Sequence, residues 1–260
     1  MIQVICFSKD RPLQLHGYLT SVFEYFPSDT RVKVLVQAQP QWFADAYAQV
    51  EAEFPQVAWC HERDFRNDLE WMVGGDAEYT VFGCDDVVYT RRVGVPEFHP
   101  DWLCISLRLG RHVIRDMFGN PMPQPKWDAG ELSWSIYGSQ GDWAYPWEVL
   151  GTIYKTQFAQ RMVARIGANS PSQLEARGAL CWAEETDKRT MAYFWDSRLV
   201  VPTVNLVQTE YPNGICGRVP LDVGFLLDSW NHGMRLDVDA YADSSPDSWR
   251  IPDFYLKRAA

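Results

Sequence analysis

Residues 80–89 read TVFGCDDVVY, and this stretch decides how the chain is expected to fold. An apolar run of strand type leads to two adjacent acids, Asp85 and Asp86, and a second apolar run carries the chain away. Burial and mutual repulsion both disfavour two ionised carboxylates at the end of a buried strand. A divalent cation relieves both, because Mg2+ and Mn2+ take carboxylate oxygens and substrate phosphates as ligands. The alternative is a strand that ends in a solvated turn, and this stretch alone leaves both interpretations open.

Strands and helices alternate over the first ninety residues. Near-continuous apolar runs predict strands at residues 2–7, 32–36, 57–60 and 79–84. Apolar residues at helical spacing predict helices at residues 13–26, 41–54 and 64–73. This alternation predicts an α/β fold with a mostly parallel central sheet covered by helices. Ligands of such sheets bind beyond the carboxyl ends of the strands.

Polar residues follow these strands at the points where the strands are predicted to end. They are Ser8, Lys9, Asp10, Arg11, Arg66, Asn67, Asp68, Asp85 and Asp86. Because parallel strands end at one edge of a sheet, we expect these side chains to converge there. Lys9 and Arg11 are candidates to contact phosphates, and Asp10, Asn67 or Asp68 to hydrogen-bond a ribose or base.

The pattern after residue 89 is less regular. It predicts helices at residues 106–118, 156–166, 172–184 and 221–230, and strands at residues 151–154 and 199–207. Residues 119–141 are rich in Gly, Pro and Trp and are predicted to be irregular. The polar tail from residue 243 is predicted to form an arm or lid rather than core. No linker or repeat divides the chain, so we expect one domain.

Composition narrows the class of protein. A net charge of -10 argues weakly against a large nucleic-acid surface. No apolar stretch approaches the roughly 20 residues of a membrane span. The six Cys form no CxxC pair, which favours reduced thiols in a cytoplasmic protein. Twelve Trp and twelve Tyr either stack on sugars and bases or fill an irregular core.

The chain resembles GT-A-type glycosyltransferases. Residues 2–15, IQVICFSKDRPLQL, are similar to the first strand and nucleotide-binding turn of that family. Residues 84–86, Cys-Asp-Asp, resemble its DXD metal motif with Cys in place of the first acid. Residues 204–208 and the helix around Phe225 are similar to bacterial members. The resemblance implies one GT-A-like, Rossmann-like domain with a nucleotide-sugar half (1–92), an acceptor half (93–240) and a C-terminal arm (241–260).

The resemblance also implies a reaction. It is the metal-dependent transfer of a sugar from a UDP- or GDP-sugar donor, with Mn2+ or Mg2+, to an acceptor. The acceptor is left open between a glycan, a lipid, a protein and a modified base. Asp86 is the expected direct metal ligand, with Asp85 in support or on the ribose. His232 is a candidate third ligand, and its alternative role is to interact with a helix dipole.

An inverting transferase needs a base that deprotonates the acceptor hydroxyl. Glu175 matches the acidic residue that follows the acceptor region in such families. Its alternative role is structural, because Ser172 and Glu175 have the spacing of a helix capping box. Asp142 and Glu148 are competing candidates. Their aromatic neighbours are candidates for a sugar platform, namely Trp143, Tyr145 and Trp147.

Two other functions stay open at this level. A sugar-phosphate nucleotidyltransferase would use a similar sheet and metal. However, residues 8–12, SKDRP, contain no Gly, whereas a Gly-rich loop after the first strand is typical of such an enzyme. A non-catalytic sugar-binding protein on the same fold is consistent with Cys84 and with the many Trp residues.

Overall fold

The structure is a computed structural model, and it describes residues 1–94, 97–127, 132–211, 214–215 and 220–259. An eight-stranded sheet organises these parts of the chain. The strands run β1 (Ile2–Lys9), β2 (Arg31–Gln37), β3 (Ala58–His61), β4 (Tyr79–Cys84), β5 (Val88–Tyr89), β6 (Trp102–Ser106), β7 (Ser133–Ser135), β8 (Thr152–Lys155), β9 (Thr190–Tyr193), β10 (Leu199–Pro202), β11 (Met234–Leu236), β12 (Arg250–Ile251) and β13 (Leu256–Arg258). The helices are α1 (Pro12–Tyr25), α2 (Gln41–Glu53), α3 (Phe65–Val73), α4 (Thr156–Ile166), α5 (Pro171–Glu185) and α6 (Val223–Asn231).

The sheet is parallel where the sequence alternates and mixed beyond that. Its strand order is β3-β2-β1-β4-β8-β6-β9-β7. The first four strands in this order pair in parallel, and β8 then inserts antiparallel between β4 and β6. Because Lys9 pairs with Gln37 and Phe7 pairs with Cys84, these parallel strands end at one edge. The predicted convergence of their polar ends follows from this register.

The apolar runs form strands because both faces of the sheet are covered. Residues 2–8 of β1 are all buried, as near-continuous apolar strands between helix layers require. Pro12 begins α1 at the position where its missing N–H costs no helical hydrogen bond. Gly83 allows α1 to lie against β4, since a Cβ there would stand 2.2 Å from the Tyr18 hydroxyl.

The prediction of a helix over residues 106–118 is wrong. Strand β6 ends at Ser106, whose hydroxyl accepts a hydrogen bond from the Leu109 N–H at 3.1 Å and so forms a turn. Gly110 then packs against the backbone of the segment before β10, where a Cβ would lie 2.4 Å from the Ser197 nitrogen. The burial of alternate apolar residues here serves a tightly packed turn and not a helix face.

The tail is also more integrated than the sequence suggests. Strand β12 pairs with β10, and β13 pairs with β11. Trp249 is only 3% exposed and Ile251 8%. Residues 248–251 therefore belong to the core and not to an arm.

Two further observations concern the helices and the cysteines. None of the helices in the described parts of the chain has the length and apolar character needed to cross a membrane. Five cysteines in those parts are free thiols, and Cys216 lies outside the described residues.

The close approach of α1 to β4 predicts a stability effect at Gly83. Gly83→Ala should lower the free energy of unfolding by about 1–3 kcal/mol, because the new methyl group displaces the fully buried Tyr18 ring. Urea denaturation measures this change. Gly94→Ala is the matched control, since a Cβ there meets no atom within 4 Å. Equal stability of the two variants would contradict this account of the packing.

Candidate active site

A cavity of about 770 Å³ opens at the edge where the parallel strands end. One wall comes from the ends of β1, β2 and β4. A second part of the lining comes from the first turns of α5, the turn after β6 and the segment around residue 145. The predicted site residues that line it are Ser8, Lys9, Arg11, Asp85, Asp86, Asp142 and Glu175. The sheet topology thus brings together acids that lie up to 90 positions apart along the chain.

The Asp85–Asp86 pair already has a cation beside it. The Arg11 Nη1 atom lies 3.0 Å from Asp85 Oδ1 and 3.2 Å from Asp86 Oδ2, and its Nη2 donates to the Asn205 carbonyl at 2.6 Å. Arg11 was expected to contact phosphate. Instead, its buried guanidinium offsets the negative charge of Asp85 and Asp86, which the sequence predicts a metal ion to neutralise. An external cation is therefore not required to hold these two acids in place.

Asp85 is fixed in a hydrogen-bond network. Its Oδ2 accepts from the Ser8 hydroxyl at 2.8 Å and from the Lys9 N–H at 3.2 Å. The Tyr47 hydroxyl shares a 2.6 Å hydrogen bond with Ser8 and accepts from the Arg11 N–H at 3.0 Å. Burial raises the pKa of Asp85, and the Arg11 guanidinium opposes that rise. Asp85 consequently acts as the anchor of this wall.

Asp86 keeps one oxygen free. Its Oδ1 is buried and has no hydrogen-bond partner within the described residues. Asp86 is a lining residue of the cavity, and a carboxylate oxygen without a partner suits a hard cation such as Mg2+ or Mn2+. No group of three or more His, Cys, Asp and Glu side chains in the described ranges is placed to hold a metal. The residues therefore fit an ion that takes one protein ligand and completes its shell with substrate oxygens and water.

Glu175 lies in the part of the lining that α5 supplies. Helix α5 begins one residue earlier than predicted, with Ser170 as the N-cap that accepts from the Gln173 N–H. The capping-box alternative for Glu175 is therefore wrong, since the third helical position is Gln173 and Glu175 lies two residues beyond it. Glu175 instead accepts from the Val149 N–H at 3.2 Å and from the Tyr145 hydroxyl at 3.4 Å. Burial, then the charge of Glu148, raises its pKa to about 7.

A buried arginine organises the acids around Glu175. Arg108 Nη1 lies 2.9 Å from Asp142 Oδ1, its Nε lies 3.6 Å from Glu148 Oε2, and its guanidinium stacks 4.6 Å from the Trp249 ring centre. The second oxygen of Asp142 accepts from Trp249 Nε1 at 2.8 Å. Glu148 accepts from the Thr152 hydroxyl and from the Leu150 N–H. Asp142 and Glu148 each pair with Arg108, whereas Glu175 forms no ion pair within the described residues and has only neutral hydrogen-bond donors there.

Five predicted site residues are not part of the described cavity lining, namely Asp10, Arg66, Asn67, Asp68 and His232. Asp10 accepts from the Gln39 N–H at 2.7 Å, and Asp68 accepts from the N–H groups of Arg63 and Asp64 before α3. Arg66 pairs with Glu70 on the same helix at 3.0 Å. His232 caps the end of α6, where its Nδ1 lies 2.7 Å from the Asp228 carbonyl. The structure does not bring His232 to Asp86, so the pairing expected from the sequence is not formed.

The predicted aromatic platform is mostly core. Trp143 and Trp147 are both fully buried. Trp143 packs edge-on against Trp127 and Trp134, with ring centres about 5 Å apart. Of the three rings only Tyr145 lines the cavity. The abundance of Trp therefore serves the packing of the second half of the sheet at these positions.

Sequence reasoning missed Arg108 and Trp249 as site residues. Arg108 stands between apolar neighbours in LCISLRLG, residues 103–110, and a lone arginine in such a run is a signal of a buried ion pair. Trp249 lay in the segment assigned to an arm. Their partners, Asp142 and Glu148, are distant along the sequence, and only the fold pairs them.

Comparisons with known proteins agree with this architecture. No family model matches the chain. Over 255 residues the chain is 26% identical to the bifunctional glycosyltransferase pgtA of Dictyostelium discoideum. The alignment covers 82% of this chain and 33% of pgtA, so the chain spans about a third of the length of that relative.

Solved structures show the same fold. S. aureus TarS 1–349 superposes with a TM-score of 0.51 at 16% identity, covering 76% of this chain and 59% of TarS 1–349. Its complex with UDP gives a TM-score of 0.52 at 15% identity and the same coverage. The GT-A-type α/β fold predicted from the sequence is confirmed.

The raised pKa of Glu175 predicts a pH-dependent stability. Because folding raises this pKa from 4.5 to about 7, the folded state disfavours the ionised carboxylate, and stability falls as pH rises between these values. Glu175→Gln should remove this loss, which gives the variant up to about 3 kcal/mol over wild type near pH 8 and little difference below about pH 4.5. Denaturant unfolding across pH measures it. Glu184→Gln, at an exposed site on the same helix, should show the wild-type dependence of stability on pH. The same wild-type dependence in Glu175→Gln would contradict this account.

Proposed function

We propose that this chain, with its GT-A-type fold and its sequence similarity to a glycosyltransferase, transfers a sugar from a nucleoside-diphosphate sugar to an acceptor hydroxyl. One observation carries the proposal: a single cavity joins Asp86, which has a free oxygen at the strand ends, to Glu175, whose pKa of about 7 suits proton transfer at neutral pH. Donor phosphates are assigned to the first wall and the acceptor to the second. Residues 1–92 then bind the donor, and the later half binds the acceptor.

The charge of the cavity supports a role for a divalent cation. The acidic residues among its described lining are Glu62, Asp85, Asp86, Asp116, Asp142, Glu148, Glu175 and Glu210, and the basic ones are Lys9, Arg11, Arg108 and Arg250. Arg11 and Arg108 are already paired with acids. A diphosphate would therefore enter a negative cavity in which Lys9 and Arg250 are the lining cations without an ion pair among the described residues. Asp86 would hold Mn2+ or Mg2+ through Oδ1, and the ion would offset the charge of the leaving diphosphate.

Each residue of the cavity then has its own role in the reaction. Glu175, when ionised, takes the proton of the acceptor hydroxyl as that oxygen forms its bond to the anomeric carbon and the bond to the diphosphate breaks. Val149 and Tyr145 orient the Glu175 carboxylate by their hydrogen bonds. Arg11 holds Asp86 in position, and Lys9 stabilises the departing phosphate. The acceptor stays open between a glycan, a lipid, a protein and a modified base.

Nucleotide binding tests the donor half of the proposal. GDP or UDP should raise the melting temperature with MnCl2 or MgCl2 present, and much less without metal. Asp86→Asn should lose the metal-dependent part of this shift, measured against the melting temperature of the same variant without nucleotide, because it also removes one partner of Arg11. Asp29→Asn, at an exposed loop position, should behave as wild type. If neither GDP nor UDP raises the melting temperature, the proposal is refuted.

Donor hydrolysis, in which water takes the place of the acceptor, tests the base. Glu175→Gln should lower kcat by about 100-fold or more with little change in KM, and Glu184→Gln should leave both unchanged. In wild type, kcat/KM should rise with pH through about 7 as Glu175 ionises. A Glu175→Gln enzyme with wild-type kcat would assign the base elsewhere. Release of pyrophosphate from a nucleoside triphosphate would instead indicate a nucleotidyltransferase.

A further inference from the structure

The cavity extends along the sheet edge into an apolar slot that the reaction above does not use. We name the slot by its lining residues: Phe7 on β1, Leu35 and Gln37 on β2, Glu62 after β3, and Phe65 at the start of α3. Phe7, Leu35 and Phe65 are each at most 5% exposed, and the rings of Phe7 and Phe65 lie 5.6 Å apart. Apolar and aromatic walls of this kind suit the face of a planar aromatic ring.

The slot lies at the right place for the base of a donor nucleotide. Across the sheet the strand ends carry Glu62, Gln37, Lys9 and Asp85 in spatial order. Three strand spacings separate the first from the last, which is about 14 Å. This span is comparable to an extended nucleoside diphosphate. With the phosphates beside Lys9 and Asp86, the base reaches the slot.

Two polar side chains border the slot. Gln37 Nε2 lies 3.4 Å from Glu62 Oε1, a weak hydrogen bond that a ligand can replace. The Glu62 backbone is held by a 2.8 Å hydrogen bond from its N–H to the Val36 carbonyl. Glu62 forms no ion pair within the described residues, so its carboxylate oxygens are available to accept hydrogen bonds.

From this arrangement we infer that the slot binds guanine and that Glu62 selects it, which makes the donor a GDP-sugar. This inference rests on the proposed function, because it names the donor of the same site. The Watson–Crick edge of guanine presents one acceptor, O6, followed by two donors, N1–H and the 2-amino group. A carboxylate accepts from both donors at once, and the Gln37 amide can donate to O6.

The other bases fit this edge less well. Uracil presents a single N–H between two carbonyl oxygens, so the second carboxylate oxygen of Glu62 meets an acceptor. Cytosine and adenine each present a ring nitrogen acceptor beside one amino group, which leaves the same mismatch. An acceptor facing an acceptor in a half-buried slot costs the hydrogen bond and the desolvation of both groups.

Isothermal titration of wild type with GDP, IDP and UDP in the presence of MnCl2 tests the inference. IDP keeps O6 and N1–H but lacks the 2-amino group, so it removes one of the two proposed contacts. GDP should bind about tenfold more tightly than IDP and UDP. Glu62→Gln should weaken GDP by about tenfold and make GDP and IDP equal. Glu24→Gln, at an exposed position on α1, is the matched control and should keep the wild-type preference.

The outcomes separate the two proposals. Binding of UDP as tight as that of GDP in wild type, or an unchanged GDP-to-IDP ratio in Glu62→Gln, overturns the guanine assignment and leaves the transferase proposal standing. No binding of any of the three nucleotides overturns both. The wild-type comparison of GDP, IDP and UDP needs no variant, so it decides the question even if Glu62→Gln does not fold. Glu62→Asp, which keeps the charge but shortens the side chain, should retain a reduced preference for GDP over IDP.

Discussion

The ion pair between Arg11 and the Asp85–Asp86 pair is the interaction on which the donor side of the site depends. It joins the turn after β1 to the turn after β4 with both partners almost removed from water. Removing one partner of such a pair leaves an uncompensated buried charge, which typically costs about 3–5 kcal/mol. The same arginine donates to the Asn205 carbonyl and so connects the segment after β10 to this edge. One guanidinium therefore sets the geometry of three chain segments.

A second buried arginine plays the corresponding part across the cavity. Arg108 compensates Asp142 and Glu148 and stacks on Trp249, which comes from the C-terminal segment. Glu175 stands next to this group, and its burial, followed by the charge of Glu148, raises its pKa to about 7 although Arg108 lies nearby. An acid held partly uncompensated costs stability, and this is the usual condition of a group that must exchange protons at neutral pH. The cavity thus lies between one tightly paired acid cluster and one acid that is loosely paired.

The N-terminal half was largely predictable from sequence because its signals are local. Its four parallel strands and three helices form within two residues of the predicted bounds, since apolar runs and helical periodicity report burial directly. The prediction was poorer after residue 89. The turn that follows β6 contains apolar residues but is not helical. Gly110 is required there because a segment about 87 positions away packs against its backbone and leaves no room for a side chain. Long-range packing of this kind leaves no periodic pattern in the sequence.

The sequence by itself determined the parallel strands, their polar ends and hence the edge at which a ligand is expected to bind, because apolar strand runs alternate with helical periodicity. It also named Asp86 as a candidate metal ligand and Glu175, Asp142 and Glu148 as candidate bases, and these roles stay predictions. Only the tertiary structure decided what surrounds them: Arg11 as the cation between the two aspartates, Arg108 beside Glu148, and His232 apart from both. Charge compensation depends on distances between residues far apart in the chain, and those distances exist only once the sheet has formed.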